Sequence, residues 1–520
     1  MILPYFVDNI QNKLLKAKLE VLSTRGKPQE TFIASNISEF KGSDEYKLMT
    51  KAEDYYCNDN DINKKKRKAI DAKGTLIEDM LLPNNIISHP SLRNIIDEKV
   101  NYVFGKPFSI KCENATFKQL LEDEVFTEKF KRKLKNLATD AYKKGKTYLQ
   151  PTFDKEGKLE FKLRTGDKII PFWTDEEHTE LDAYILFYQI RIYDLDGNYK
   201  DVDYIEFVDD TGVYRYTQEA ANQLQKYEED GTSSFSGHFR ASQTENDEEV
   251  VKEMVWERIP LIPFKANADE YPVLKSVKGL IDGYDTTTSD LADSIGDLPY
   301  SIKVIVNYDG QDLGELAANL YKYRMVKVSD GGDMKTLTQS IDINAINNHL
   351  DRLKDDICEY GRIVNDKSAI AVNASGKALD RLYNKIDLDA SDIITEFNDS
   401  LQQLLWFVKW YFKNTGRGDF ENDEVEFVFN TDKPTDETTI IANCVASKGI
   451  ISDETIMANH PWVTDIEQEK KQLEEEQNAQ MEKLLNMNGY GSEQGFGAES
   501  SEDAETDPTT DNEEDEDEEV

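Results

Sequence analysis

Two short stretches of the chain contain residue types that could bind a phosphate group or a metal ion. The Gly145-Lys146-Thr147 triplet matches the end of a nucleotide-binding loop. The full motif also needs an earlier glycine and a preceding strand, but Asp140 and Ala141 stand there within a helical pattern. We interpret Gly145 as a turn that ends this helix. The stretch DLDGNYKD (194–201) lacks the remaining ligands of a calcium loop and predicts a hairpin turn.

The histidines, cysteines and acids give no catalytic or metal-binding pattern. The five histidines are scattered and none forms an HExxH motif, and the four cysteines lie far apart without a CxxC pair. Among 102 acidic residues some must lie close together by chance, so paired acids are no evidence for a hydrolase. The sequence therefore predicts no catalytic residue, no metal site and no cofactor, and its cysteines suit a reducing compartment.

Charge limits the kinds of partner this chain can hold tightly. The 520 residues include 62 basic and 102 acidic ones, so the net charge is 62 − 102 = −40. A protein that clamps nucleic acid needs the opposite balance. The one dense basic run, Lys64–Lys68, is either a solvated surface or a contact for nucleic acid or an acidic partner.

The C-terminal segment is the most acidic part of the chain. It has 14 acids and no bases from Glu493 to Val520 and lacks apolar periodicity, which predicts a disordered tail over 491–520. Such a tail is either a solubilising end or a docking segment.

The longest strongly apolar stretch, Leu404–Phe412, is about half as long as the roughly 20 residues that a membrane span needs. We therefore expect a soluble intracellular chain with no membrane contact.

Periodicity predicts an α+β, mainly helical protein. A helix is expected at about Ser91–Phe104, followed by an antiparallel β-meander over about 147–264. Within the meander, the polar stretch from about Gln218 to Glu249 predicts a mobile loop.

Two further helices carry long apolar stripes. The first stripe comprises Val277, Leu280, Ile281, Tyr284, Thr288, Leu291, Ile295 and Leu298. The second comprises Ile346, Leu350, Leu353, Ile357 and Tyr360, whose alternating spacing of four and three predicts a packed seam between helices.

The order of these elements, together with several short passages, resembles the portal proteins of tailed double-stranded DNA bacteriophages of the siphophage type. The passages are AEDYYCNDNDI, NIIDEKVNYVFGKPFSI, RIPLIPFKAN, LKSVKGLIDGYDTTTSDLADSI and GIISDETIMANHPWVTDIEQEKKQLEEE. They occur in the family's order and with similar gaps over roughly residues 40–475. The sequence departs from many relatives after Ser375-Gly376, where Lys377 replaces a small apolar residue.

The resemblance implies the portal architecture of wing, stem, clip and crown. The wing would be 1–272, with its helical N-terminal part and the β-meander. The stem helices would be 273–298 and 342–361, with the clip at 299–341 between them. A tunnel loop at 362–376 would lead into 377–434, a long kinked helix and a returning wing strand, and 435–490 would form the crown.

The resemblance also implies a function. Such proteins form a ring, usually of twelve subunits, at one capsid vertex, through which double-stranded DNA is packaged and ejected. The implied partners are the terminase large subunit, a head-tail adaptor protein, and the major capsid and scaffolding proteins. The implied location is the virion, after assembly in the host cytoplasm.

Three groups of residues are candidates for contacts in such a ring. The DNA-facing candidates in the tunnel loop are Asn365, Asp366, Lys367, Ser368, Asn373, Ser375 and Lys377. The stem-channel candidates are Asp351, Arg352, Lys354, Asp355 and Glu359. The clip candidates for partner binding are Lys322, Tyr323 and Arg324.

The acids of the second stem helix allow two interpretations. They either form a repulsive wall that keeps DNA sliding or make salt bridges between subunits. Two other functions also remain open on the residues alone. One is an acid-rich metal-dependent nuclease or hydrolase, and the other is an acidic scaffold or DNA-mimicking binder.

Overall fold

The computed structural model describes residues 28–70, 74–78, 83–193, 197–218, 224–227, 234–245, 248–297, 302–306, 330–337, 342–365, 376–431, 437–463 and 466–488. Helices and antiparallel strands are mixed along these ranges, as expected for an α+β chain. The chain divides into two compact units, Met1–Pro434 and Thr435–Val520. No helix in the described ranges is both long and apolar enough to cross a membrane.

The helices are numbered along the described chain. The larger unit contains α1 (Pro28–Gly42), α2 (Asp44–Tyr56), α3 (Ser91–Phe104), α4 (Ala115–Leu120), α5 (Glu128–Lys144), α6 (Leu274–Asp297), α7 (Ile343–Gly361) and α8 (Gly376–Asn414). The smaller unit contains α9 (Glu437–Ala446), α10 (Asp453–Ala458) and α11 (Ile466–Asn488).

The strands of the described residues all lie in the larger unit. The short outer strands are β1 (Lys68–Ile70), β2 (Leu76–Glu78), β3 (Ser109–Lys111), β15 (Ile302–Val306), β16 (Asp333–Leu337) and β17 (Glu426–Val428). The central strands are β4 (Lys146–Phe153), β5 (Leu159–Thr165), β6 (Ile169–Trp173), β7 (Leu181–Tyr193), β8 (Tyr199–Asp209), β9 (Gly212–Gln218), β10 (Gln225–Lys226), β11 (Phe235–Ser236), β12 (Phe239–Glu245), β13 (Glu248–Met254) and β14 (Ile262–Lys265).

The prediction of one meander over 147–264 is wrong, because these strands form separate sheets. Strand β4 is the centre of a three-stranded sheet in the order β14-β4-β5. Strands β6 to β9 form a true meander, joined at one edge by β10 and β11. The chain leaves the first sheet at Gly166, where an added Cβ would lie 2.4 Å from the carbonyl oxygen of Lys146. The carbonyl of Lys146 thus leaves no room for a side chain where the chain passes from β5 to the next sheet.

The mobile loop predicted over Gln218–Glu249 is also wrong in its second half. Strands β12 and β13 pair over seven residues from Phe239↔Met254 to Glu245↔Glu248. The base of this hairpin is fixed by Phe239, whose ring lies 4.9 Å from that of Trp256 and 5.1 Å from that of Phe153. One aromatic anchor at the base therefore positions a hairpin whose own strands are mostly polar.

The first half of strand β7 is buried on both faces. Ala183, Ile185 and Phe187 pack with helix α1 in one cluster, whereas Tyr184 and Leu186 point into a second cluster on the opposite face. Successive side chains of a strand alternate between faces, so one run of apolar residues serves both clusters.

The largest core surrounds helix α8, which runs unbroken over 39 residues. Its buried positions recur every three or four residues, as expected for one face of a helix. They are Ile386, Ala390, Ile393, Phe397, Leu401, Leu404, Leu405, Val408 and Phe412. Helices α3, α5 and α6 contribute to the same cluster, so these four helices share one apolar core.

Helix α5 ends at Gly145, which has φ +84° and lies against the backbone of Glu270. The triplet at 145–147 is thus a helix end followed by a strand, as interpreted from the sequence. Thr147 is buried, and its hydroxyl donates to the carbonyl of Arg164 at 3.0 Å.

Glu270 joins three distant parts of the chain just before α6. Its carboxylate accepts a hydrogen bond from Lys146 Nζ at 2.7 Å. His178 Nδ1 lies 2.7 Å from the other oxygen, and Lys265 Nζ lies 3.3 Å from it. Burial alone would raise the pKa of Glu270, but the charge of Lys146 and the hydrogen bonds from Lys146 and His178 lower it to about 2.

Candidate functional site

The two helices that correspond to the expected stem, α6 and α7, pack against each other. Leu353 of α7 lies 3.9 Å from the position of a Cβ at Gly283 of α6. Ile357 is buried, and Gly361 is pressed against Ile95 of α3. The predicted stripe fails at its last member, because Tyr360 is 59 % exposed and Gly361 takes the buried position.

The second half of α6 buries polar residues instead of apolar ones. Asp285, Ser289 and Asp293 are spaced by four residues and are all buried, whereas Ile295 is 54 % exposed. The predicted apolar stripe is therefore wrong in this half of the helix, since the surface that covers it is a polar segment of backbone.

That covering segment, residues 83–90, runs extended and antiparallel to α6. The backbone N–H groups of Asn85, Ile87 and His89 donate in turn to the side chains of Asp293, Ser289 and Asp285, at 2.6, 3.0 and 3.2 Å. Two extended residues advance about 6.6 Å and four helical residues about 6 Å. The two periods match, so each second amide of the segment meets the next turn of the helix.

Three members of the basic run Lys64–Lys68, namely Lys65, Lys66 and Arg67, pair with acids of the same chain. Lys65 Nζ lies 2.7 Å from Asp290 and 2.8 Å from Asp293, and Arg67 contacts Asp297. Burial alone would raise the pKa of Asp293, but hydrogen bonds from Lys65 and from Asn85 lower it below its ordinary value. Because Lys65 and Arg67 neutralise the end of α6, their main role in the described structure is to hold that helix.

The five stem-channel candidates all lie on the exposed face of α7, away from α6. They are Asp351, Arg352, Lys354, Asp355 and Glu359. Several charges of this face have partners within the chain: Arg352 Nε is 3.8 Å from Asp356, and Lys385 of α8 is 3.0 Å from Glu359. The face thus carries both signs of charge, with acids in excess.

The backbone that leaves α7 is fixed at three successive points. Arg362 adopts a left-handed conformation with φ 54°, and its guanidinium lies 3.1 Å from Asp392 of α8. The N–H of Val364 donates to Glu98 at 2.9 Å. Asn365 Nδ2 donates to Asp355 of α7 at 2.8 Å. The entry to the predicted tunnel loop is therefore anchored to α3, α7 and α8.

Asp389 is the partly buried centre of this anchor. Its two oxygens accept hydrogen bonds from Lys99 Nζ at 2.6 Å and from the Tyr142 hydroxyl at 2.8 Å, and Arg362 lies 3.9 Å away. Burial lowers the pKa of Lys99 despite the opposing charge of Asp389. Burial likewise raises the pKa of Tyr142 well above its ordinary value. These groups tie α3 and α5 to α8.

The remaining candidates lie outside the described residues or lack a described side chain. Lys322, Tyr323 and Arg324 fall between β15 and β16, two strands that pair antiparallel from Ile302↔Leu337 to Val306↔Asp333. The tunnel-loop candidates outside the described ranges are Asp366, Lys367, Ser368, Asn373 and Ser375. Lys377 lies in the first turn of α8, and its side chain is not described.

Sequence reasoning missed the polar groups that position these helices. The spacing of Asp285, Ser289 and Asp293 was a usable signal, because three small polar residues one turn apart mark one face of a helix. Asp389 and Glu270 offered no comparable signal, since their partners lie far away in the sequence.

A cleft of about 500 Å³ beside Glu270 is the candidate active site for the hydrolase interpretation, because several acids line it. Its acids include Glu176, Glu396 and Asp399. Burial raises the pKa of Glu396. Yet across the described residues no three histidine, cysteine or acidic side chains are grouped so that they could hold a metal ion. The geometry therefore gives the hydrolase interpretation no support.

Comparisons with known proteins give one consistent result. Residues 41–483 match the model of the family described as phage portal protein, SPP1 Gp6-like. The portal protein of Bacillus phage SPP1 is 30% identical over 441 residues, covering 83% of this chain and 84% of the relative. A portal protein of Clostridium phage phiCD119 is 28% identical over 456 residues, covering 84% of this chain and 94% of the relative.

Solved structures with a weaker likeness include the neck of a native GTA particle computed with C12 symmetry. The TM-score is 0.38 at 12% sequence identity, over 72% of this chain and 90% of that one.

Proposed function

Because the chain belongs to the SPP1 Gp6-like family of phage portal proteins, we propose that its copies form a ring at one capsid vertex and that double-stranded DNA passes through the central channel. Members of this family are structural proteins, so the chain is a portal component of a phage particle and not an enzyme. The match over 41–483 carries the conclusion, since it includes every described sheet and helices α2 to α10.

The channel wall is assigned to the exposed face of α7 and the segment that follows it. The apolar face of α7 packs against α6 and α3. The charged face is therefore the one that can line the channel. Its mixture of acids with a few bases suits a polyanion that must slide, because dense basic residues would hold phosphates too tightly. Residues 366–375 would contact the DNA directly, with 362–365 as their fixed base.

The other elements take the roles that the family suggests. Residues 28–272 would form most of the wing, 299–341 the clip, and 435–490 the crown. The clip would bind the terminase large subunit and a head-tail adaptor, with Lys322, Tyr323 and Arg324 at the contact. Major capsid and scaffolding proteins would surround the wing, and twelve subunits would complete the ring in the virion.

Negative-stain micrographs of the purified protein test the assembly. Rings with a central hole are expected. A species of 59.6 kDa at all concentrations, also after mixing with scaffolding and capsid proteins, would contradict the proposed ring.

Shortening the loop tests the channel assignment. Removing residues 369–372 should leave ring formation unchanged, because the anchors at Arg362, Val364 and Asn365 stay in place. DNase-protected DNA in assembled heads should fall by about tenfold, as expected when a gating segment is lost. Removing four residues from the connection 229–232 in the wing is the matched control and should package normally. Normal packaging in the loop variant would overturn the assignment.

A further inference from the structure

A cleft with a basic rim opens at the surface of the larger unit, beside helix α5. One wall is the first half of α5, and the other is the turn between α3 and β3. Its volume is about 290 Å³, close to the lower limit of roughly 300 Å³ for ligand pockets. This size suits one aromatic or aliphatic side chain of a longer segment.

The rim of the cleft is basic in a chain that is strongly acidic elsewhere. Its charged residues are Lys106, Lys131, Arg132, Lys135 and Glu128, which is four bases against one acid. Lys131 contacts Glu128 at 2.8 Å and Lys135 donates to Asn101 at 2.6 Å. Arg132 is exposed and makes no ion pair with any residue that the structure describes. Arg132 and Lys135 therefore keep positive charges that no acid in the described residues neutralises.

The floor of the cleft is apolar. It is formed by Phe104, Pro107, Phe108, Leu134 and Phe429. The rings of Phe104 and Phe108 both lie 5.6 Å from that of Phe429. This packing fixes the floor, and so the cleft is built by the core and not by flexible surface side chains.

A basic rim above an aromatic floor fits an acidic peptide that carries an aromatic anchor. We propose that the cleft binds the C-terminal segment 489–520 of a second copy of this chain. That segment has Tyr490 and Phe496 just before or among its first acids, and 14 acids with no base from Glu493 onward. Phe496 enters the apolar floor, and the acids that follow it pair with Arg132 and the neighbouring lysines.

The other basic feature of the sequence is a poorer site for this segment. Lys65 and Arg67 already pair with Asp293 and Asp297 of α6, so an acidic peptide would have to displace acids of the same chain. At the cleft, Arg132 and Lys135 can pair with acids of the segment without displacing an acid of the described residues. Docking of one copy's end on the next copy is a head-to-tail contact, which closes into a ring when the rotation is right. The proposal rests on the proposed function in one respect only, which is that the ring brings two copies of the chain close together.

A photoreactive residue tests this contact in the full chain. Benzoylphenylalanine is placed at position 496, differently isotope-labelled copies are mixed before assembly, and cross-links are mapped by mass spectrometry. Cross-links between copies are expected at 104–108, 131–135 or Phe429. The double variant R132E and K135E should lower their yield at least about fivefold, and raising salt from about 0.1 to 0.5 M should lower it as well.

Two further variants separate binding from folding. K155E with K168E changes the same number of charges at exposed wing lysines and should leave the yield unchanged. The double variant R132Q and K135Q removes the two positive charges without adding negative ones. It should lower the cross-link yield, but less than the charge reversal does. Cross-links confined to one copy, cross-links to another surface, or an unchanged yield in R132E and K135E would overturn the proposal. Rings without these cross-links would leave the proposed function intact, whereas cross-linked copies without rings would count against that function alone.

Discussion

Replacing Glu270 by glutamine is expected to destabilise the junction between β4 and the start of α6 by about 3 kcal/mol. Glutamine keeps the shape but removes the charge that Lys146 faces, and the Lys146 side chain is only 8% exposed. Breaking a buried ion pair by removing one partner costs about 3–5 kcal/mol. Glu45 stays 3.0 Å from Lys146 and compensates in part, so the lower end of that range applies.

Amide hydrogen exchange measures this effect where it occurs. The amides of Ala266 and Val273 donate to the carbonyls of Gly145 and Tyr142, on either side of Glu270. A loss of about 3 kcal/mol should speed their exchange by roughly 100-fold. Glu257→Gln, at an exposed position of the same region, is the matched control and should exchange like the unchanged protein. Equal exchange in both variants would show that the ion pair does not hold the junction.

The pKa of Glu270 also predicts how this junction responds to acid. The pKa is lowered from about 4.5 to about 2. A depressed carboxyl pKa stabilises the fold fully above the unfolded value, and the stabilisation is lost as pH falls through the folded value. Protection of Ala266 and Val273 should therefore decline between about pH 4.5 and pH 2. The Gln variant should lack that component of the decline.

The helices were predictable because their patterns are local. The stripe that begins at Val277, the spacing of Ile346, Leu350, Leu353 and Ile357, and the long run before Phe412 each place a helix within a few residues of its observed bounds. A repeat of three or four residues is imposed by one helix packed on one surface, so no distant residue is needed to read it.

The errors arose where burial does not follow hydrophobicity. Ile295 is exposed and Asp285 is buried because residues 83–90 present backbone amides to that face of α6. A stripe of apolar residues cannot reveal a surface that is covered by hydrogen-bond donors. Glu270 was missed for a related reason, since it lies 124 residues from Lys146 and 92 from His178. Such contacts are created by the fold and leave no trace in local spacing.

Replacing Gly145 by alanine is expected to be the most damaging of these changes. The residue has φ +84°, which costs a side chain about 1–2 kcal/mol. An added Cβ would also lie 2.0 Å from the carbonyl oxygen of Glu270 and 2.6 Å from its carbonyl carbon. These are backbone atoms, so no side-chain rotation relieves the clash. The chain at 270–271 must move away from α5, which also pulls Glu270 from Lys146.

Gly157→Ala separates the two causes, because Gly157 has φ +78° and nothing lies within 4 Å of its added Cβ. We expect Gly157→Ala to lose about 1 kcal/mol and Gly145→Ala to lose more than about 4 kcal/mol, a loss rarely seen for a single substitution. Thermal unfolding and exchange at Ala266 would measure both. Equal losses would mean that the backbone conformation alone requires glycine. A much larger loss of stability in Gly145→Ala would show that the end of α5 must contact residues 270–271, just before α6. It would also show that this contact leaves no room for a side chain.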